Sequence, residues 1–349
     1  MIVLWRWAIR ILLSLGLAVI GLLIPPAYVE LACQKPTTSD GYSPLITDPD
    51  WQRAESRTLL TYPEWHIVHA YDDYARVIRD GDPHDFGYLR AISGFWRTLC
   101  PLTGAAASMG GVDRDTKATI YTIGVSFTAE LLAKAAYEET IGRLMTLLRG
   151  SEQSALDAVS ARQAAEYALF LQQTPWYQWD FRRDAQELTE KADANLRDRE
   201  RSLALGIEYR AKAIYAGAIK AAVAGMGADQ LRLRAVVSNL SIDALEALDG
   251  ITVVGRNGSG IEIETDRYRA FTRIVEVLVA KGGNIVEIAG NNDVLFTAIS
   301  DASTVEGALY SFPRQGYGDV RHLILIPVRD LGDRLRSLDG LQLEHVHDY

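Results

Sequence analysis

From Trp51 to about residue 229 the apolar residues recur at helical spacing, whereas beyond residue 230 they alternate or run in short blocks bounded by Gly, Asn and Asp. The change of period predicts a helical domain over 51–229 and an α+β domain over 230–349. In the first, Tyr88, Ile92, Phe95, Trp96 and Leu99 make one apolar stripe, with Pro101 expected to end it. Thr61-Tyr62-Pro63-Glu64 reads as a capping box that opens the preceding helix. The charged run up to Arg201 is expected to lie in solvent, and Gly225 and Gly227 to end its helix. Residues 130–141 (ELLAKAAYEETI) and 208–219 (EYRAKAIYAGAI) share Glu, Ala, Lys, Ala, Tyr and Ile at equal offsets, which predicts a duplicated helical unit. Chance likeness of two Ala-rich helices is the alternative.

After residue 230 the strands expected are LRAVVSNL, ITVVGR, GIEIETD, NIVEIAG, DVLFTAIS, HLILIPV and LQLEHVHDY. SIDALEALD with Ser241 as N-cap, DRYRAFTRIVEVLVAKGG and DLGDRLRSL are the helices between them, and Asn257-Gly258-Ser259 is a hairpin turn. The order β-α-β-β-α-β resembles the split βαβ of ferredoxin-like domains, with extra strands appended. The expected fold class is therefore α+β, a helical domain with an internal helix repeat followed by a ferredoxin-like domain. That architecture hosts many unrelated functions, so it implies none.

Residues 2–24 are apolar apart from Arg6, Arg10 and Ser14, and as a helix would span roughly 35 Å. The pattern predicts an N-terminal transmembrane helix over 1–25, closed by Pro25-Pro26, and a juxtamembrane tether over 26–50. Arg6 and Arg10 would keep the short N-terminus inside, giving a single-pass protein of the cytoplasmic (inner) membrane with most of the chain extracytoplasmic, a periplasmic domain. A cleaved signal peptide is the competing reading.

A net charge of −9 argues against nucleic acid as a partner, because phosphate binding needs a clustered excess of Lys and Arg. Two cysteines, Cys33 and Cys100, exclude a four-cysteine zinc site and leave one disulfide open. No phosphate-loop motif, His-Glu-x-x-His or helical Glu-x-x-His pair of the di-iron bundles is present.

Histidines are the main carriers of chemistry. His66, His69 and Asp73 stand at i, i+3 and i+7 on one helical face, a spacing that allows three ligands to converge on a metal, with Glu64 and His84 available to complete it. His345 and His347 alternate on the terminal strand and share a face, a ligand pattern lacking a third member in the sequence. The repeated trios Glu130, Lys134, Tyr137 and Glu208, Lys212, Tyr215 would form a polar network if their helices face each other; plain i, i+4 ion pairs are the simpler reading. Trp176, Tyr177, Trp179 and Phe181 read as packing at a helix junction. Two function classes follow. One is a non-enzymatic envelope component for scaffolding, assembly or ligand sensing, with the membrane and other envelope proteins as partners. The alternative is a membrane-tethered metal-dependent enzyme using His66, His69 and Asp73. The sequence names no cofactor.

Overall fold

The computed structural model describes residues 2–38, 41–224, 231–258 and 260–348. The expected helix end at Gly225 and Gly227, Ser259 of the hairpin turn, and Tyr349 lie outside them. Helices come first: α1 (Ile2–Ala32), α2 (Glu55–Leu60), α3 (Tyr62–Asp80), α4 (Tyr88–Ala106), α5 (Arg114–Tyr137), α6 (Arg143–Arg149), α7 (Ala155–Leu171), α8 (Phe181–Lys191) and α9 (Leu196–Ala224). Then follow β1 (Arg232–Ser238), α10 (Ile242–Glu246), β2 (Ile251–Asn257), β3 (Gly260–Asp266), α11 (Arg269–Ala280), β4 (Asn284–Ile288), β5 (Asp293–Ser300), β6 (Ala308–Pro313), β7 (Val320–Pro327), α12 (Val328–Arg336) and β8 (Gln342–His347). The α+β class is as the sequence reads.

Among the described residues no helix is long and apolar enough to cross a membrane. This overturns the transmembrane anchor over 1–25, together with the inner-membrane location and extracytoplasmic placement that rested on it. Arg6 and Arg10 interrupt the apolar run, and Pro25-Pro26 do not close the helix, which continues to Ala32. Its last turns belong to the fold: Val29 is buried, Glu30 pairs with Lys117 at 3.1 Å and accepts from Tyr121, and Cys33 forms a disulfide with Cys100 of α4. Beyond it, a strap over residues 41–50 lies on the β half, where buried Glu287 accepts from Leu45 N at 2.5 Å, Ile46 N at 2.8 Å and the Tyr42 hydroxyl.

Other expectations shift at helix ends. Thr61 is itself helical (φ −70°, ψ −22°) and makes no side-chain cap, because α2 runs directly into α3. Pro101 sits inside α4, which continues to Ala106. The charged run is broken over residues 192–195, and Arg197, Asp198 and Arg201 are buried rather than solvated. Arg201 pairs with Glu138 at 2.6 Å, and Arg197 with Asp157 and Glu200.

Two four-stranded antiparallel sheets follow the helices, with strand orders β2-β3-β1-β4 and β6-β7-β5-β8. Numbered within each half, the two orders are the same, so the β half is a structural duplication in which the loop over 301–307 stands where the first half has α10. Strand β6, ALYSFP, was not expected from the sequence. The second sheet is the central layer. Val294, Phe296 and Ala298 of β5 join Phe271, Val275, Val328 and Leu331 of α11 and α12 in one core, whereas Leu295 faces the helical bundle with Leu323 of β7. The period of two explains the split: alternate residues of a strand covered on both faces enter two different cores.

Candidate functional site

Helix α3 lies between the helical bundle and the second sheet and presents a half-buried polar face to the first and a buried one to the second. Tyr71 and Tyr74 meet α5 and α9: Tyr71 donates to Glu130 at 2.5 Å, and Lys134 lies over the Tyr74 ring. Tyr62, Trp65, His66, His69 and Asp73 turn toward the sheet, where Trp65 stacks on His345 and Tyr62 meets His347 edge-on.

The repeated trios do come together, by crossing rather than by i, i+4 pairing alone. Lys134 reaches Glu208 at 3.2 Å and Lys212 reaches Glu130 at 2.7 Å, so each copy's lysine pairs with the other copy's acid. Burial alone would raise the Glu208 carboxyl, but Lys134 and Lys212 outweigh it and hold it at about 2. Burial would likewise lower Lys212, yet Glu130, Tyr71 and Glu208 push it well above its ordinary value. The tyrosines leave the network: Tyr137 donates to Glu200, and Tyr215 stacks on Trp176. Trp176 and Phe181 pack with Tyr167 and Ala216 at a helix junction.

His66, His69 and Asp73 share one buried face, as their spacing requires, and line a cavity of about 360 Å³ between α3, α4 and β6. Gly94 makes room for the imidazole, since a Cβ there would come within 2.8 Å of His66 Cε1. His66 Nε2 donates to Ala91 O at 2.9 Å. Asp73 Oδ2 accepts from Gln315 N at 3.0 Å, and the Gln315 side chain exchanges bonds with the backbone of Gly87. Arg90 and Arg97, seven residues apart on α4, reach the cavity from its exposed rim, and neither makes an ion pair among the described residues. Buried Arg321 backs the cavity, held by Glu344 through bonds of 2.5 and 2.6 Å, with Asp73 Oδ1 4.0 Å away.

Burial sets the protonation states. It raises Asp73 to about 7 despite the neighbouring Arg321, and lowers His66 to about 4. His69 falls well below the ordinary imidazole value, first through burial and then through Arg321 and His347, and His345 does so through burial and then through His347 and His69. At neutral pH the imidazoles are therefore uncharged. His66 Nδ1, His69 Nε2 and Asp73 Oδ1 have no hydrogen-bond partner, nor do Tyr62 Oη, His345 Nε2 and either nitrogen of His347.

The other candidates are placed elsewhere. Glu64 is exposed. His84 sits beyond the far end of α3 with Asp82 and Asp85, the one trio of potential ligands among the described residues whose atoms lie within 4.8 Å of one another. Asp82 there is already bound by Arg149 at 2.9 and 3.0 Å. His322 is satisfied on both nitrogens by Ser300 and Ser311. Sequence reasoning missed Arg90, Arg97, Gln315, Arg321 and Glu344, whose only visible hint is a charge placed directly before the apolar run HLILIPV. No family model matches the chain, and neither a curated protein nor a solved structure matches it.

Proposed function

We propose that the protein is a ligand-binding component that takes a small organic anion, bearing a carboxylate or phosphate, in the cavity between α3, α4 and β6. The observation that carries this is the pair Arg90 and Arg97, two guanidiniums with no counter-charge among the described residues, at the rim of a cavity also lined by neutral imidazoles, Asp73 raised to about 7, Gln315 and the Glu344-paired Arg321. Guanidinium forks bind carboxylate and phosphate oxygens bidentately, and about 360 Å³ falls in the usual size range of small-molecule sites. Calorimetric titration with a panel of small carboxylates and phosphate esters tests it. At least one binds, and the Arg90→Ala/Arg97→Ala variant loses roughly tenfold or more in affinity with unchanged unfolding midpoint. Equal binding by the variant, or none by the wild type, removes the proposal.

A second reading is a metal-dependent enzyme on His66, His69 and Asp73, favoured by the three partnerless atoms on the cavity wall. Metal that is present in the wild type and lost in His66→Ala would support it. For the fold, we read the β half as two ferredoxin-like units in tandem, a reading supported by the strand order common to both sheets.

A further inference from the structure

Behind the cavity, where β8 meets α3, three imidazoles from distant parts of the chain lie buried around one tryptophan. Trp65 is the hub: the His345 ring stacks on it at 3.5 Å, His69 lies at 5.7 Å and His347 at 5.8 Å, while His345 and His347 are 4.8 Å apart. Tyr62 is 5.3 Å from His347 and 6.4 Å from His69. All four side chains are buried, with exposures from 0 to 6 %.

The hydrogen bonding within this cluster is lopsided. His69 directs Nδ1 at Glu344 Oε1, 3.6 Å away, and leaves Nε2 without a partner. His345 binds Thr272 Oγ1 through Nδ1 at 2.9 Å, and again Nε2 has none. His347 and the Tyr62 hydroxyl have no partner at all. A buried polar group without a partner is destabilising, and five such atoms in one place are unusual. One nitrogen held by a hydrogen bond while the other is left bare, as in His345, is the arrangement by which proteins orient metal-binding imidazoles.

We propose that His69, His345 and His347 bind a divalent transition metal ion of the zinc or copper class, with Tyr62 as the fourth protein group. Uncharged imidazole is a borderline-soft donor suited to those ions. His-x-His on β8 supplies two ligands from one strand face, and α3 supplies the third. The donor atoms are not within 4.8 Å of one another as a trio, so loading draws the rings inward about their side-chain torsions. This site shares His69 with the second reading above but excludes His66 and Asp73, so the two predict different variants.

The test uses the full chain without a histidine tag, stripped with chelator and titrated with zinc and with cobalt chloride. One equivalent of zinc binds, cobalt gives the intense visible absorption of a four-coordinate site, and His347→Gln and His345→Gln each weaken binding roughly a hundredfold or more, whereas His66→Ala leaves it unchanged. Should a β8 variant fail to fold, the cobalt spectrum of the wild type and its invariance in His66→Ala decide the matter. Absence of stoichiometric zinc in folded wild type, or its retention in both β8 variants, overturns the proposal. Loss in His66→Ala overturns it in favour of the cavity trio.

Discussion

On one side of α3, Glu130, Lys134, Glu208 and Lys212 form a half-buried charge cluster in which every ionised group has an opposite charge within 3.2 Å. On the other side, His66, His69, Asp73, His345 and His347 are more deeply enclosed, yet hold a series of atoms with no partner. Both regions draw polar groups away from solvent, the second more completely, but only the first compensates them internally. Buried charges that pair completely hold helices in one register. Buried lone pairs that stay open cost stability and invite a ligand to satisfy them. The same helix is thus fully paired toward α5 and α9 and carries open polar atoms toward the second sheet.

The contrast can be broken most forcefully at Glu208. Glu208→Ala leaves Lys134 without its acid and removes one partner of Lys212, and is expected to lower the unfolding free energy by about 3 kcal/mol in denaturant titration. A loss below about 1 kcal/mol would place this network with ordinary surface pairs.

Acid attacks the same cluster. Glu208 is held at about 2, below its ordinary 4.5, so its ionised form is favoured by the folded state. Its contribution is fully present above the unfolded value and is lost as the pH falls from about 4.5 toward about 2. Unfolding midpoints followed down this range should fall more steeply in wild type than in Glu208→Ala. Parallel curves would remove the linkage.

The smallest test compares two tyrosines of α3. Tyr71→Phe loses a bond to a carboxylate and should cost about 2 kcal/mol, whereas Tyr62→Phe, measured in metal-free protein, should change stability by less than about 0.5 kcal/mol because its hydroxyl has no partner to lose. Equal costs would mean that the histidine side is satisfied after all.

Much of the frame was legible in the residues. The change from a period of 3.6 to one of two marks where the helices give way to strands, and the i, i+3, i+7 spacing places His66, His69 and Asp73 on one face of α3. The repeated Glu and Lys point to a network only if their helices face each other, with plain i, i+4 pairs as the simpler reading. What could not be read is which partner each face would find. Pro101 looks like a stop, yet packing carries α4 past it, and the polar run containing Arg197 and Arg201 looks solvated until Asp157, Glu138 and Glu200 are brought to it. The apolar N-terminal run suggested a membrane span, whereas its last turns are tied to α4 and α5 through Cys33 and Glu30.

The sequence by itself determined element type, the α+β class and the faces on which the histidines and repeated charges lie, because these follow from local periodicity and short-range sterics. Only the tertiary structure decided that Lys134 pairs with Glu208, that Arg90 and Arg97 rim a cavity, and that His69 meets His345 and His347. Those pairings join residues far apart in the chain, and they are selected by how two sheets and a helical bundle share α3, a property of global packing that no local pattern encodes.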